Sequence, residues 1–281
     1  MRVKEANYLE PGEIAVTTVL AAVLAFVFIV PFLWMTLSSL KVPAELFIVP
    51  MQWLPKKPQW SNYLRIFNEF PFLLDFRNTS ILVVVNIVSA VASNTLIAYG
   101  FSKIEWKGRE TLFYVVLATL ILPFQVVMIP LFILFHRLHW IGTFLPLTVP
   151  GFFGSAFFIF LLRQFFLSIP NELCYAAKID GASEFRIYSR IILPLSTPAI
   201  TTVIIFSFLR TWNDFIGPLI FLTDNKLYTL SLGAQQIMHN LDPKWDMLLT
   251  LGVIMTFPVL VIFFLLQKYF IQGIAMTGIK G

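Results

Sequence analysis

The chain has 281 residues, of which 58% are hydrophobic and only 12% charged, with a mean hydropathy of +0.82. A soluble domain is roughly 45 to 50% apolar and about 25% charged, so a water-soluble fold is excluded. The formal charge of +5 is scattered over polar connections and leaves no nucleic-acid footprint, and the single cysteine, Cys174, excludes an intrachain disulfide and a Cys-rich metal site.

The N-terminal stretch carries Arg2, Lys4, Glu5, Glu10 and Glu13 ahead of an apolar run of more than twenty residues. The apolar core of a cleaved signal peptide is only about 7 to 15 residues, so this run reads as a first membrane helix behind a short tail. At roughly 20 residues per crossing, six spans are predicted over 14–40, 79–101, 112–135, 144–167, 193–222 and 248–270. The expected architecture is all-α and polytopic, with one transmembrane domain over 1–281. The connection 41–78 contains Pro43, Pro50, Pro55, Pro58 and Pro71 with Trp53 and Trp60, which suits turns and an interfacial cap.

Polar residues inside spans cost free energy unless they face protein or water. In the second span Asn86, Ser89 and Ser93 recur at i, i+3 and i+7, one stripe of a helix, with Asn94 beside them. Such a stripe serves either helix-to-helix hydrogen bonding or a wet pathway. The third span places Gln125 between Pro123 and Pro130, and the fifth carries Arg210, Trp212, Asn213 and Asp214 ahead of Gly217 and Pro218. Two ionisable groups and an aromatic beside a Gly-Pro break suit a bent helix lining a pathway. Asn86, Gln125, Trp212, Asn213 and Asp214 are therefore the candidate pathway residues, an aromatic ring together with amide and carboxylate groups. His136, His139 and His239 fall in outer connections and read as ordinary polar turns, not metal ligands. No Gly-rich phosphate loop is present, so the chain is not itself an ATPase. No catalytic constellation, metal site or cofactor is expected.

The window 161–199 alone combines charges of both signs, Arg163, Glu172, Lys178, Asp180, Glu184, Arg186 and Arg190, between two apolar segments. It is expected outside the bilayer. Asn171 is the expected N-cap of a short helix with Glu172 in its first turn, and Leu173, Ala176 and Ala177 follow at helical spacing. Gly181 supplies a left-handed turn. Ser183 and Glu184 start a second short helix, with Phe185, Tyr188, Ile191 and Ile192 on one face, and Pro194 marks the turn into the next span. A protruding helix, turn and helix of this kind is shaped for docking.

Tyr175, Ala176, Ala177, then Gly181, Ile191 and the pair Leu193–Pro194 resemble the Glu-Ala-Ala loop of permease subunits of ATP-binding cassette importers. Residues 206–222, FSFLRTWNDFIGPLIFL, are similar to the carbohydrate branch, the maltose-type permeases. The resemblance implies a type I importer fold of six transmembrane helices, with the loop as a coupling helix seated on a cytoplasmic ATPase. Glu172, Tyr175, Ala176, Ala177, Asp180, Gly181 and Ala182 would form that contact, Tyr175 standing where the motif has glutamate. It further implies a second permease subunit, two ATPase subunits and an extracytoplasmic solute-binding protein, met by the connection 223–247. The lipid environment would be the bacterial or archaeal cytoplasmic membrane, with both termini in the cytoplasm. A weak excess of Lys and Arg in the inner segments agrees with that orientation. A permease for glycerol phosphate or another polar solute is the nearest alternative. A polytopic membrane enzyme is a distant one.

Overall fold

The computed structural model describes residues 11–239 and 244–278. All regular structure among them is helical: α1 Pro11–Ser39, α2 Pro43–Leu46, α3 Ser61–Glu69, α4 Phe72–Ser102, α5 Arg109–Ala118, α6 Phe124–Arg137, α7 Leu145–Thr148, α8 Ala156–Ser168, α9 Asn171–Ile179, α10 Glu184–Ile187, α11 Leu193–Leu195, α12 Thr197–Trp212, α13 Ile216–Phe221, α14 Leu230–His239 and α15 Trp245–Gly278. Four stretches, Gly12–Ser39, Phe72–Ser102, Leu145–Ser168 and Trp245–Gln267, are each long and apolar enough to cross a membrane. Two bent pairs, Arg109–Ile121 with Phe124–Arg137 and Glu184–Leu195 with Thr197–Trp212, bring the number to six if each pair is one span. The all-α polytopic reading holds.

The bends have local causes. α5 and α6 meet at 99°, where Leu122 is extended ahead of Pro123, as the residue before a proline is driven to be. The predicted third span is thus two short helices, α6 with its 14 residues being only about 21 Å long. The fourth begins with α7 and a 3-10 turn, Val149–Phe153, and Gly154, at φ +90, interrupts the helix before α8. Pro194, expected to end the coupling segment, does not interrupt it. The helix widens into a π turn over Tyr188–Ile192, which relieves the clash of a proline ring with the preceding carbonyl, and runs on to Leu195. The bend to α12, 78°, falls at Ser196 instead. The break expected at Gly217–Pro218 falls earlier, at Asn213–Phe215. Pro218 lies in the first turn of α13, where its missing N–H costs nothing.

The chain forms two compact units. The first comprises residues 1–70 and 237–256. In it Asn62 donates to the carbonyls of Ser39 (2.9 Å) and Lys41 (3.1 Å), the Ser39 and Tyr63 hydroxyls lie 2.9 Å apart, and Arg65 pairs with the buried Asp246 at 2.7 Å. Apart from its C-terminal turn, α1 exposes apolar side chains along its length, Phe28 by 79%, a surface suited to lipid and untenable in water.

The second unit comprises residues 71–236 and 257–281. Here α4 packs on α8 and α12. Ala98, Leu162, Phe166, Ile187, Ile192 and Val203 form its buried centre. The connection 223–247, expected to be an outer loop, holds all of α14 and the start of α15. Leu230 and Leu232 are buried because the segment is tied to α4: Asn78 donates to the carbonyls of Lys226 and Tyr228, and Thr79 accepts from the Leu230 amide.

Candidate functional site

The helix, turn and helix predicted around Gly181 are present as α9 and α10. Gly181 has φ +81 and its Cβ position faces open space, so the glycine answers to backbone conformation alone. Ser183 caps α10, its hydroxyl accepting the Arg186 amide. Asn171 is not the cap of α9. Pro170 holds that position, and Asn171 is the first helical residue, its side-chain oxygen accepting the Lys103 ammonium at 2.7 Å. Glu172, Tyr175, Ala176, Asp180 and Gly181 are exposed, while Ala177 and Ala182 are half-buried. Tyr175 is 55% exposed. Cys174, Ile187 and Tyr188 turn inward and join the buried centre of the second unit.

Two large apolar side chains are exposed beside the turn: Ile179, 87% exposed at the end of α9 and not singled out by the sequence, and Phe185, 71% exposed on α10. Phe185 had been grouped with Tyr188 and Ile192 on one apolar face. The signal that was available is their position, immediately flanking the Gly181 turn where a protruding tip must lie. Lys178 on α9 reaches across the turn to Glu184 on α10 at 2.6 Å, and that hydrogen bond holds the ammonium pKa above its ordinary value. Lys103, at the end of α4, has its pKa lowered by burial. It donates to the Ile169 carbonyl at 2.6 Å.

A cavity of about 500 Å³ opens among α4, α6, α7, α8, α12 and α13. Asn86, Ser89 and Asn94 of α4, Ser155, and Ser207, Arg210 and Thr211 of α12 give it polar walls, with Asp214 beyond α12. Phe124, Phe135, Phe158 and Phe221 supply apolar ones. This mixture suits a polyhydroxylated ligand.

Of the predicted pathway residues, the structure brings Asn86 and Asp214 together on this cavity and leaves three outside it. Gln125 is exposed elsewhere on α6. Trp212 is buried against Phe208 and Phe76, with ring centroids 5.4 and 6.0 Å away. Asn213 donates to the Leu209 carbonyl at 2.8 Å in the exposed turn after α12. Arg210 lines the cavity as well.

Much of the polar stripe also serves helix packing. Ser93 donates to the Gly151 carbonyl (3.0 Å), the Asn94 oxygen accepts the Ser155 amide (2.7 Å), and Asn86 donates to the Thr211 hydroxyl (3.3 Å). The stripe's bonds hold the fourth span and α12, and Asn86, Ser89 and Asn94 also line the cavity. The Asp214 carboxylate accepts the Gly217 amide (3.1 Å), a cap-like bond. A Cβ on Gly217 would lie 2.6 Å from that carboxylate, so only glycine lets it close. Among the described residues no cluster of His, Cys, Asp or Glu could hold a metal ion. His239 lies outside the described side chains.

Residues 95–276 match the family described as "Binding-protein-dependent transport system inner membrane component". The chain is 34% identical to the arabinooligosaccharides transport system permease protein AraQ of Bacillus subtilis, over 94% of this chain and 95% of that protein. It is 30% identical to the lactose transport system permease protein LacG of Rhizobium radiobacter, over 89% and 90%. The fold matches a chain in the crystal structure of a bacterial transporter involved in import of the acidic polysaccharide alginate, with a TM-score of 0.82 at 22% identity, covering 94% of this chain and all of that one. With the match spanning most of its length, the chain belongs to the family of inner membrane components of binding-protein-dependent transport systems.

Proposed function

We propose that this chain is one permease subunit of an ATP-driven carbohydrate importer, pairing with a second permease to enclose the pathway. Two ATPase subunits supply the energy and an extracytoplasmic binding protein delivers the solute. The observation that carries this reading is the pairing, within one compact unit, of an exposed α9–turn–α10 tip with a polar and aromatic cavity. The names of the sugar-transport relatives support the solute class. The whole chain acts as one transmembrane permease domain, with both termini and the Gly181 turn in the cytoplasm, where ATP is. Glu172, Tyr175, Ala176, Ala177, Asp180, Gly181 and Ala182 form the ATPase contact, with Ile179 and Phe185 as its apolar anchors. Asn86, Arg210 and Asp214 bind solute hydroxyls in passage. Closure of the ATPases moves the tip and switches the pathway between outward-open and inward-open states.

Reconstitution with the partner subunits in liposomes tests the reading. ATP-dependent accumulation of an oligosaccharide is expected, and Ile179→Asp and Tyr175→Ala are expected to weaken co-purification of the ATPase while Tyr175→Phe is mild. An ATPase that co-purifies undiminished with Ile179→Asp, or a complex that accumulates no saccharide, overturns it.

A further inference from the structure

The docking tip is spliced between α8 and α12, but neither covalent connection is a straight, continuous α-helix. On the α8 side the chain passes through extended backbone at Ile169 and Pro170. On the α12 side it passes through the π turn of Tyr188–Ile192 and the 78° bend at Ser196. Joints of this kind absorb rotation.

A different helix grips the tip directly. Thr95, Tyr99 and Lys103 recur every four residues on α4 and so share one face. The Thr95 hydroxyl lies 2.8 Å from the Tyr188 hydroxyl, in the π turn. The Tyr99 hydroxyl donates to the Glu184 carboxylate at 2.7 Å, at the start of α10. Lys103 donates to the Ile169 carbonyl and to Asn171, at the start of α9. The three residues thus engage the tip on both sides of Gly181 through four bonds, and the Lys178–Glu184 pair closes the turn between them. Tyr99 and Tyr188 are buried and their rings lie 5.3 Å apart, so this contact is shielded from water. Charge-assisted bonds to Glu184 and from Lys103 are the stronger kind.

α4 then runs, as one helix of 31 residues, to the cavity wall. Asn94, Ser89 and Asn86 line the cavity on that same helix, Asn86 lying thirteen residues, about 20 Å, from Tyr99.

We propose that α4 is the element that transmits movement of the docking tip to the cavity, with Thr95, Tyr99 and Lys103 as positioning residues. This rests on the reading of α9 and α10 as the ATPase contact. The load bypasses the two joints and reaches the cavity through one continuous helix, whose Ser93, Asn94 and Asn86 also hold Gly151, Ser155 and Thr211.

The test is uptake per ATP hydrolysed by the reconstituted complex. Tyr99→Phe keeps the ring and removes the bond to Glu184, and Lys103→Met removes the second grip. Both are expected to co-purify with the ATPase as wild type does and to keep ATP hydrolysis within about twofold, while uptake per ATP falls at least tenfold in the double variant. Lys103→Arg is expected to recover most of the ratio. Should Tyr99→Phe reduce the yield of complex, Thr95→Val with Lys103→Met is read by the same ratio. An unchanged ratio, or uptake and hydrolysis falling together in an intact complex, overturns the proposal. Undiminished co-purification of the ATPase with Ile179→Asp would instead overturn the docking reading on which it rests.

Discussion

Arg163 of α8 and Glu110 of α5 form a forked pair in which one guanidinium nitrogen lies 2.7 and 2.8 Å from the two carboxylate oxygens. The same guanidinium donates to the Phe101 carbonyl through Nε at 3.0 Å and lies 4.0 Å from the Phe113 ring centroid. Arg163 is buried, whereas the Glu110 side chain is half exposed. One arginine thereby joins α8 to the ends of α4 and α5.

Arg163→Ala is expected to destabilise the chain by about 2 to 4 kcal/mol, since it removes a bond to a backbone carbonyl, a paired charge and a ring contact together. Glu110→Gln, which keeps an acceptor at an exposed site, is expected to cost under about 1 kcal/mol. Thermal unfolding of the purified chain in detergent reads both. Equal losses would mean that the carboxylate, not the carbonyl and ring, holds Arg163.

Arg163 also shows where the sequence stops being legible. Its charge grouped it with the docking segment, because its partners lie 53 and 62 residues away and nothing local announces them. The Gly181 turn and the Ser183 cap were legible, since a positive φ and a side-chain cap are settled within four residues. The stripe of Asn86, Ser89 and Ser93 was legible as spacing, but Gly151 and Thr211, which it bonds, were not. Trp212 was taken for a pathway residue because it sits among polar neighbours. The turn after it sends Asp214 to the cavity while Trp212 packs on Phe208 and Phe76. The breaks at Leu122 and Gly154 were hidden inside apolar runs, where composition counts residues but does not show direction.

Gly181→Val is expected to impair ATPase co-purification while leaving membrane insertion intact. The φ of +81 is costly for a side chain with a Cβ, by roughly 1 to 2 kcal/mol, and open space around the position means that no clash adds to it. Gly181→Asn, a residue that visits this region more readily, is expected to retain most of the binding. Identical losses in both variants would show that the partner surface, not backbone strain, demands glycine.

Glu69 ends α3 in the first unit, bonded to Arg65 at 2.8 Å and to Lys244 at 2.6 Å. The hydrogen bond from Arg65, then that from Lys244, holds its carboxyl at about 2, below the ordinary 4.5. A depressed carboxylate contributes stability that is fully present above its unfolded pKa and is lost as pH falls through the folded value. Amide protection in α3, taken relative to the intrinsic exchange rate at each pH, is therefore expected to be unchanged from pH 7 to about 5 and to fall between about 4.5 and 2. In Glu69→Gln that acid-dependent step is expected to shrink. A step of the same size in the variant would assign it to another carboxylate.

Asn78 lies in the second turn of α4, completely buried, with its amide nitrogen donating to the carbonyls of Lys226 at 2.8 Å and Tyr228 at 3.0 Å. One residue on, Thr79 accepts the Leu230 amide at 2.9 Å. Two neighbouring side chains thus fix the start of the connection proposed to meet the binding protein. Deleting part of α14 would disturb this anchorage as well as the proposed contact, so a point change at the anchor is the cleaner probe. Asn78→Ala leaves the Lys226 and Tyr228 carbonyls without this donor, a cost of about 0.5 to 1.5 kcal/mol per bond. Asn78→Asp is expected to be worse, because an acceptor then faces acceptors. Thr79→Ser keeps the hydroxyl and is expected to be mild. In the assembled transporter, Asn78→Ala should leave basal ATP hydrolysis within about twofold of wild type and cut its stimulation by loaded binding protein at least fivefold, since only the outer connection is released. Stimulation that survives Asn78→Ala in a complex of normal yield would mean that this connection does not carry the signal from the binding protein.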